Sequence, residues 1–443
     1  MMDHRQRIVG EDAILFDPIS KTGKGFYLTL SILTALVIWG IFAYVTQYQN
    51  GLAVTGLSRQ IFWGVYITNF VFFIGISHAG TLISAILRIA KAEWRRSITR
   101  SAELITVIVL FFGAANVWID LGRPERILYA IRYAQFQSPL LWDVASIGLY
   151  LTASSVYLYL CLIPDIAILR DHLGKRKWFY QILALGWQGS ESQRHLLERA
   201  ITFMAILVIP VAVSVHTVVS FVFAMTIQPM WHSAIFGPYF VTGAIFSGIA
   251  ALILAMALIR RVYHLEDYLK RIHFNNLGIL LLVMTLLWFY FTFAEYLTVF
   301  YGNEPVQLAI FWSKLKGEFA PYFWGMFLLC SVIPLSILAF RKTRTVLGTS
   351  IASASVILGM WLERFVIIVP TLTQQRMPVE QAIYRPTWVE GSILVGCISL
   401  FILLYALFTK VFPIISIWEI REGREKAIPV ASERIRSYLP EEK

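Results

Sequence analysis

The chain has 443 residues, 58% hydrophobic and only 15% charged, with a mean hydropathy of +0.66. Soluble domains keep about a quarter of their residues charged, so the composition excludes a soluble enzyme and implies a polytopic membrane protein. The net charge of +11 would suit a nucleic-acid binder only if it were gathered on one folded basic surface, and its distribution along the chain argues otherwise.

Residues 1–25 carry Asp3, Arg5, Arg7, Glu11, Asp12, Lys21 and Lys24 before any apolar run begins, which is not the pattern of a secretory signal. Apolar runs long enough to span, about 20 residues each, follow at 26–47, 61–88, 103–119, 138–163, 198–226, 238–259, 277–300, 321–340, 345–369 and 390–412. Of the 38 Lys and Arg residues, 29 fall in alternate flanks on the side of both termini, 8 on the other side, and Arg364 inside the ninth run. The positive-inside rule therefore predicts a multi-pass protein of the cell inner (cytoplasmic) membrane with both termini cytoplasmic. The basic balance reads as topology, and no nucleic acid is needed. Cys161, Cys330 and Cys397 stand singly in apolar runs without a C-x-x-C, a pattern for packing thiols that houses neither an iron–sulfur cluster nor a metal.

The second run reads W-G-V-Y-I-T-N-F-V-F-F-I-G from Trp63 to Gly75, and the sixth reads F-G-P-Y-F-V-T-G-A-I-F-S-G from Phe236 to Gly248, so that Gly64/Gly237, Tyr66/Tyr239, Phe73/Phe246 and Gly75/Gly248 coincide. The fourth run opens S-P-L-L-W-D (Ser138–Asp143) and the eighth A-P-Y-F-W-G (Ala320–Gly325). Both pairs keep a four-helix period, which predicts an all-α membrane protein of ten transmembrane helices, two repeated four-helix bundles plus two peripheral helices. The expected units are an N-terminal segment 1–25, a first helix and outer loop 26–60, bundles at 61–226 and 227–369, and a tenth helix with a cytoplasmic tail at 370–443. Asp143 in the first unit is Gly325 in the second, so the first unit alone keeps that acid.

Polar residues inside such runs are costly and are functional candidates by default. Helix rise of about 1.5 Å per residue converts position to depth, and places Tyr66, Asn69, Asp120, Arg123, Trp142, Asp143 and His216 in the outer half of the first unit. The connector 122–137 holds Arg123, Arg126 and Arg132 on the charge-poor side, where topology alone would remove them. An acid–histidine pair beside arginine is what reversible proton transfer to a quinone oxygen requires. A second polar group, Ser77, His78, Thr81, Ser84 and Glu103, lies toward the cytoplasm and suggests a proton path. Each residue also has a structural reading. Tyr66 and Trp142 suit an interfacial aromatic belt, Asn69 and Thr81 suit helix–helix bonding, and His216 could bond a neighbouring carbonyl. Asp120 could pair with Arg123, Asp143 could be a first-turn residue favoured by the helix dipole, and Glu363–Arg364 could be a structural ion pair. Counting along the segments puts His78 and His216 about 20 Å apart in depth, which would bar a bis-histidine haem.

The runs G-I-S-H-A-G-T-L-I-S-A-I-L-R (Gly75–Arg88), D-L-G-R-P-E-R (Asp120–Arg126) and S-P-L-L-W-D resemble the NrfD/PsrC family of quinone-interacting integral membrane subunits. Ten helices resemble the branch containing the ActC subunit of alternative complex III and the related Qrc and Dsr/Hme-type subunits. In that branch the position before L-G-R-P is commonly histidine, paired with the aspartate of the fourth helix at the quinol site; here it is Asp120. The resemblance implies a quinone pocket in the first bundle, no intrinsic haem or iron–sulfur cluster, and an iron–sulfur subunit docked on the outer, periplasmic face, with other membrane and cytochrome or redox subunits around it and lipid at the rim.

The function expected is that of the quinone-binding subunit of a respiratory or electron-transfer oxidoreductase, exchanging electrons between menaquinol and the iron–sulfur partner, with coupled proton translocation. Asp143 would take or return the proton, His216 and Asp120 would assist, Arg123 would offset negative charge, Tyr66, Asn69 and Trp142 would shape the pocket, and His78, Thr81 and Glu103 would form the proton path. A secondary transporter would also show repeats, but no two helices are broken at matching mid-membrane positions. A passive anchor of the same complex is the third reading, which retention of Asp143 disfavours for the first unit.

Overall fold

The computed structural model describes residues 14–172, 177–373 and 383–425, and within these the side chains of residues 79, 81 and 82 are outside the description, so that Thr81 is placed only as a helix position. The described chain is all-helical. Ten helices are long and apolar enough to cross a membrane: α1 (Lys24–Asn50), α2 (Val65–Ile89), α3 (Thr99–Asp120), α4 (Pro139–His172), α5 (Glu191–Ala224), α6 (Phe236–Val262), α7 (Arg271–Gly302), α8 (Ala320–Leu338), α9 (Val346–Thr373) and α10 (Trp388–Val411). In hydrocarbon every backbone group must be satisfied within its own segment, so each apolar run becomes a helix.

Helix ends depart from the apolar runs in both directions. α4, α5 and α7 continue beyond them, because hydropathy marks the hydrocarbon while a helix runs on to its cap; at α5 the Ser190 hydroxyl accepts from the Gln193 N–H at 3.3 Å. α2 starts later than its run, at Val65, after a non-helical entry. Gly64 closes that entry where a Cβ would lie 2.3 Å from the Tyr384 hydroxyl.

The packing follows the repeat. α2 packs against α3, α5 and α6, α4 lies on α3 and α5, and α6 packs against α7 and α9. The units therefore meet through their equivalent first helices, where Gly75 of α2 faces Ala244 and Ser247 of α6, as small-residue packing in membranes favours. α1 and α10 form a peripheral pair that closes on Gly40 and Gly396; a Cβ on Gly40 would sit 2.8 Å from the Gly396 Cα. The repeat extends to a detail of the connectors. Trp142 donates from Nε1 to Phe136 O at 2.7 Å and Trp324 from Nε1 to Leu315 O at 3.1 Å, each pinning the segment ahead of its helix. Short helices precede both: Pro124–Leu128 and Tyr129–Arg132 before α4, and Pro305–Leu315 before α8.

Ten passes bring the ends of the described chain to one face, the terminal face; the opposite one, bearing the residues between Asp120 and Asp143, is the connector face. On the terminal face residues 413–425 fold back under α2, α3 and α4. Glu419 takes ion pairs from Arg88 and from Arg95 Nη1, the latter at 3.0 Å, and Arg96 Nη1 donates to Glu419 O at 2.7 Å and to Glu422 Oε2 at 3.1 Å. Arg100 Nη2 meets Asp165 Oδ2 at 2.9 Å, and Asp165 also accepts from the Ile417 and Trp418 N–H groups at 3.3 and 2.9 Å. Burial by itself would raise the Glu419 carboxyl, but Arg88, Arg95 and Arg100 outweigh it and hold it below the usual carboxylate range. These arginines enter the topology count as flanking charge; the fold buries Arg95, Arg96 and Arg100 and gives each a partner.

Candidate functional site

Asp143 is buried on α4 with Oδ1 bonded to nothing among the described residues. The sequence reading placed it in the first turn, where the helix dipole could account for it. Because α4 begins at Pro139, Asp143 stands in the second turn, past the free N–H groups, and that account fails. A carboxyl oxygen buried there is bonded by a group other than the described residues or carries a proton.

Tyr66 and Asp120 sit in a polar cluster that α1 and α10 complete. Tyr66 donates to Gln47 Oε1 at 2.6 Å, and Gln47 Nε2 donates to Ile119 O at 2.9 Å, next to Asp120. Glu390 accepts from the Tyr384 hydroxyl at 2.5 Å and from Gly56 N at 2.8 Å, and Tyr384 accepts from Val65 N at 2.8 Å. Asp120 lies within electrostatic reach of Glu390 and Tyr66, and its Oδ1 is buried without a partner among the described residues. The Asp120–Arg123 pair considered from sequence does not form, since Arg123 points into the open on the connector face. Sequence reasoning missed Gln47, Glu390 and Tyr384. Only Glu390 had a local signal, the Thr387-x-x-Glu390 capping box at the start of α10.

Asn69 is taken up by helix bonding: Nδ2 donates to Asn116 Oδ1 at 3.3 Å and Oδ1 accepts from Trp361 Nε1 at 2.8 Å, which ties α2 to α3 and α9. Trp142 is 38% exposed and its N–H serves the connector. Arg126 and Arg132 are exposed beside Arg123 among the exposed apolar side chains Leu128, Ile131, Tyr133 and Phe136, so the connector presents a basic and apolar surface.

The largest correction concerns the histidines. His78 and His216 are in contact, with ring centroids 4.0 Å apart and the planes at 70°, rather than about 20 Å apart in depth. His78 stands thirteen residues into α2 and His216 eight residues before the end of α5. Counted from the connector ends of α2 and α5, His78 lies about 20 Å and His216 about 12 Å deep, an offset under about 10 Å that the packing of the two helices closes. The depth objection to a haem falls with it. The contact supplies another: two axial imidazoles need their bonding nitrogens about 4 Å apart across an iron at about 2 Å from each, and touching rings leave no such gap. His78 Nε2 lies 2.7 Å from Ala212 O and Nδ1 3.2 Å from Ile74 O, whereas both nitrogens of His216 are buried without a partner among the described residues. Arg364 is within electrostatic reach of both rings.

Toward the terminal face, Ser77 O accepts from Thr106 at 2.7 Å and from Tyr150 at 3.1 Å. Ser84 donates to Glu103 Oε1 at 2.6 Å and lies 3.2 Å from the Tyr157 hydroxyl, while Glu103 Oε2 is buried and unpartnered among the described residues. The fold thus joins Glu103 to Ser84 and His78 to His216, and it divides the residues grouped by depth among the Asp143 turn, the Tyr66–Asp120 cluster, the histidine pair and the connector surface.

Residues 53–375 match the family model described as polysulphide reductase, NrfD. The chain is 24% identical over 409 residues to a selenate reductase subunit of Mesobacillus selenatarsenatis, covering 88% of this chain and 94% of that one. It is 24% identical over 427 residues to the Hdr-like menaquinol oxidoreductase integral membrane subunit of Archaeoglobus fulgidus, covering 91% and 97%. A protein of Halobacterium salinarum named for a dimethyl sulfoxide reductase membrane subunit is 26% identical over 403 residues, covering 85% and 88%.

Proposed function

The chain belongs to the polysulphide reductase NrfD family and is a multi-pass membrane subunit of an oxidoreductase complex; from that premise we propose that it binds a membrane quinone of the menaquinone class and exchanges its electrons with an iron–sulfur subunit on the connector face. The observation that carries this reading is Asp143, a buried carboxylate with a free oxygen one turn inside a membrane helix. Quinol oxidation releases protons together with electrons, and a carboxylate without an internal partner is free to take a proton from a ligand hydroxyl. Asp120, held beside the Tyr66–Gln47 pair, is the second acceptor, and its free oxygen stands where the related branch commonly has histidine. Arg123 offers positive charge at the rim, and Asn69 and Trp142 hold the helices and the connector around the pocket. Relatives named as a selenate reductase subunit and as a menaquinol oxidoreductase subunit support quinone chemistry exchanged with other subunits.

The exposed arginines and apolar side chains between Arg123 and Phe136 suit a docked partner, and in this reading the connector face is outside and the termini are cytoplasmic, in keeping with the positive-inside bias. His78 and Glu103, with Thr81 between them on α2, are the proposed cytoplasmic proton path, with His216 as the relay that His78 touches. The experiment is purification of the native complex with its partners, followed by assay of co-purifying quinone. Quinone in proportion to this chain is expected, and a complex that carries none and shows no quinol-linked turnover contradicts the proposal.

A further inference from the structure

The second unit has a small cavity on its connector half that the quinone reading leaves unused. Glu295 of α7, Glu363 of α9, Lys314 of the helix Pro305–Leu315, and the rings of Tyr239, Trp231 and Tyr296 line it. Its volume of about 20 Å³ exceeds the roughly 10–15 Å³ that one water requires. Glu295 is 5% exposed, Glu363 0% and Lys314 3%. Ser233 donates to Glu295 Oε2, but Glu295 Oε1 has no hydrogen-bond partner among the described residues. Glu363 Oε1 accepts from Trp288 Nε1 at 3.3 Å and the Tyr239 hydroxyl is within hydrogen-bonding reach of the same carboxylate, while its Oε2 lies 3.1 Å from Arg364 Nη1 without hydrogen-bond geometry among the described residues. Carboxylate oxygens this deep must be hydrogen-bonded or carry a proton, and a cavity of this size lined by these groups has room for a water to bond them.

Arg364 follows Glu363 in sequence, stacks on Phe240 at 4.7 Å and is within electrostatic reach of both His78 and His216. Helix rise puts Glu363 about 15 Å and Glu295 about 10 Å inside the connector ends of α9 and α7, and Lys314 lies at that face. Burial lowers the Lys314 ammonium to about 8, with Glu295 and Glu363 pulling it back up. We propose that this cavity is a hydrated proton-binding site, with Glu295 and Glu363 joined through water and gated by Lys314, and that it forms the connector-face end of a proton line running from Glu103 through His78 and His216 across to the second unit. A proton reaching Glu363 passes through the water to Glu295 and leaves past Lys314, with no bond made or broken except to hydrogen. The line bypasses Asp143, so proton movement and quinone chemistry use different exits. The route, though not the water site, rests on the proton-coupled reading above.

Two measurements on the native complex separate the two. Radiolytic hydroxyl labelling in oxygen-labelled water marks side chains next to bound water. Met326, which lines the cavity at 1% exposure, should be modified several-fold faster than Met256, buried at 0% on α6 away from it, and equal slow labelling overturns the water site. In proteoliposomes, Glu363→Gln and Glu295→Gln should at least halve the charge moved per electron while quinol-linked electron transfer persists. An unchanged ratio, or equal loss of both activities, overturns the route, and Lys314→Met provides an independent variant if either glutamine substitution fails to assemble. A parent complex that moves no charge removes the proton-coupled reading, and the route with it, while the labelling still decides the site.

Discussion

Replacing Asp165 by alanine should release the segment 413–425 from the terminal face. Asp165 is fully buried, pairs with the equally buried Arg100 at 2.9 Å, and accepts from the backbone of Ile417 and Trp418. Alanine strands the guanidinium, which keeps the Cys161 and Pro413 carbonyls at 2.8 and 3.4 Å but loses its counter-charge. Breaking a buried pair on one side costs about 3–5 kcal/mol, against a total stability of about 5–15 kcal/mol for a typical domain. Asp165→Asn should cost less, since the amide oxygen can still accept from one N–H. The assay is limited proteolysis of the detergent-solubilised complex alongside its thermal unfolding, with Trp418 fluorescence reporting the segment. A loss below about 1 kcal/mol for alanine, the scale of an exposed ion pair, refutes the reasoning. Acid should act through the neighbouring Glu419. Its folded carboxyl titrates below the usual range, so its stabilisation is complete above an ordinary glutamate value of about 4.3 and fades as pH falls through the depressed value. The segment should therefore become protease-sensitive in acid before the helices unfold.

Gly80→Ala should drive α2 from α3, because the added Cβ would lie 1.8 Å from Thr106 Oγ1 and 2.0 Å from Ala102 O; melting should drop by the equivalent of about 1–3 kcal/mol or more. Gly148→Ala on α4, which meets nothing within 4 Å, is the control and should melt no lower than the parent. Reversing Arg123, Arg126 and Arg132 together to glutamate should leave the isolated subunit folded and weaken retention of partner subunits, measured by size-exclusion chromatography across a salt series. Unchanged retention at every salt concentration would remove the connector as the docking surface.

The ten spans were legible because they rest on a local property, apolar length. Asp143 was legible as a lone acid at the edge of an apolar run. Its freedom from a partner was not, since that depends on whether α4 begins at Pro139 or a turn later. The Gln47–Tyr66 and Tyr384–Glu390 bonds join helices far apart in sequence and have no signature except one capping box. The histidine contact was misread because depth by counting lacks the relative offset of helices, which only packing sets. The arginines of the terminal face read as topology, because a charge flanking a span looks the same in sequence whether water or Glu419 receives it.

The central claim is that Asp143 exchanges a proton with a bound quinone. Asp143→Asn keeps the shape of the side chain and removes its ability to accept a proton, so the direct measurement is quinol-linked turnover and quinone content of the purified Asp143→Asn complex against the parent. The account predicts an assembled complex that retains partners and quinone with turnover abolished; turnover near that of the parent would contradict it.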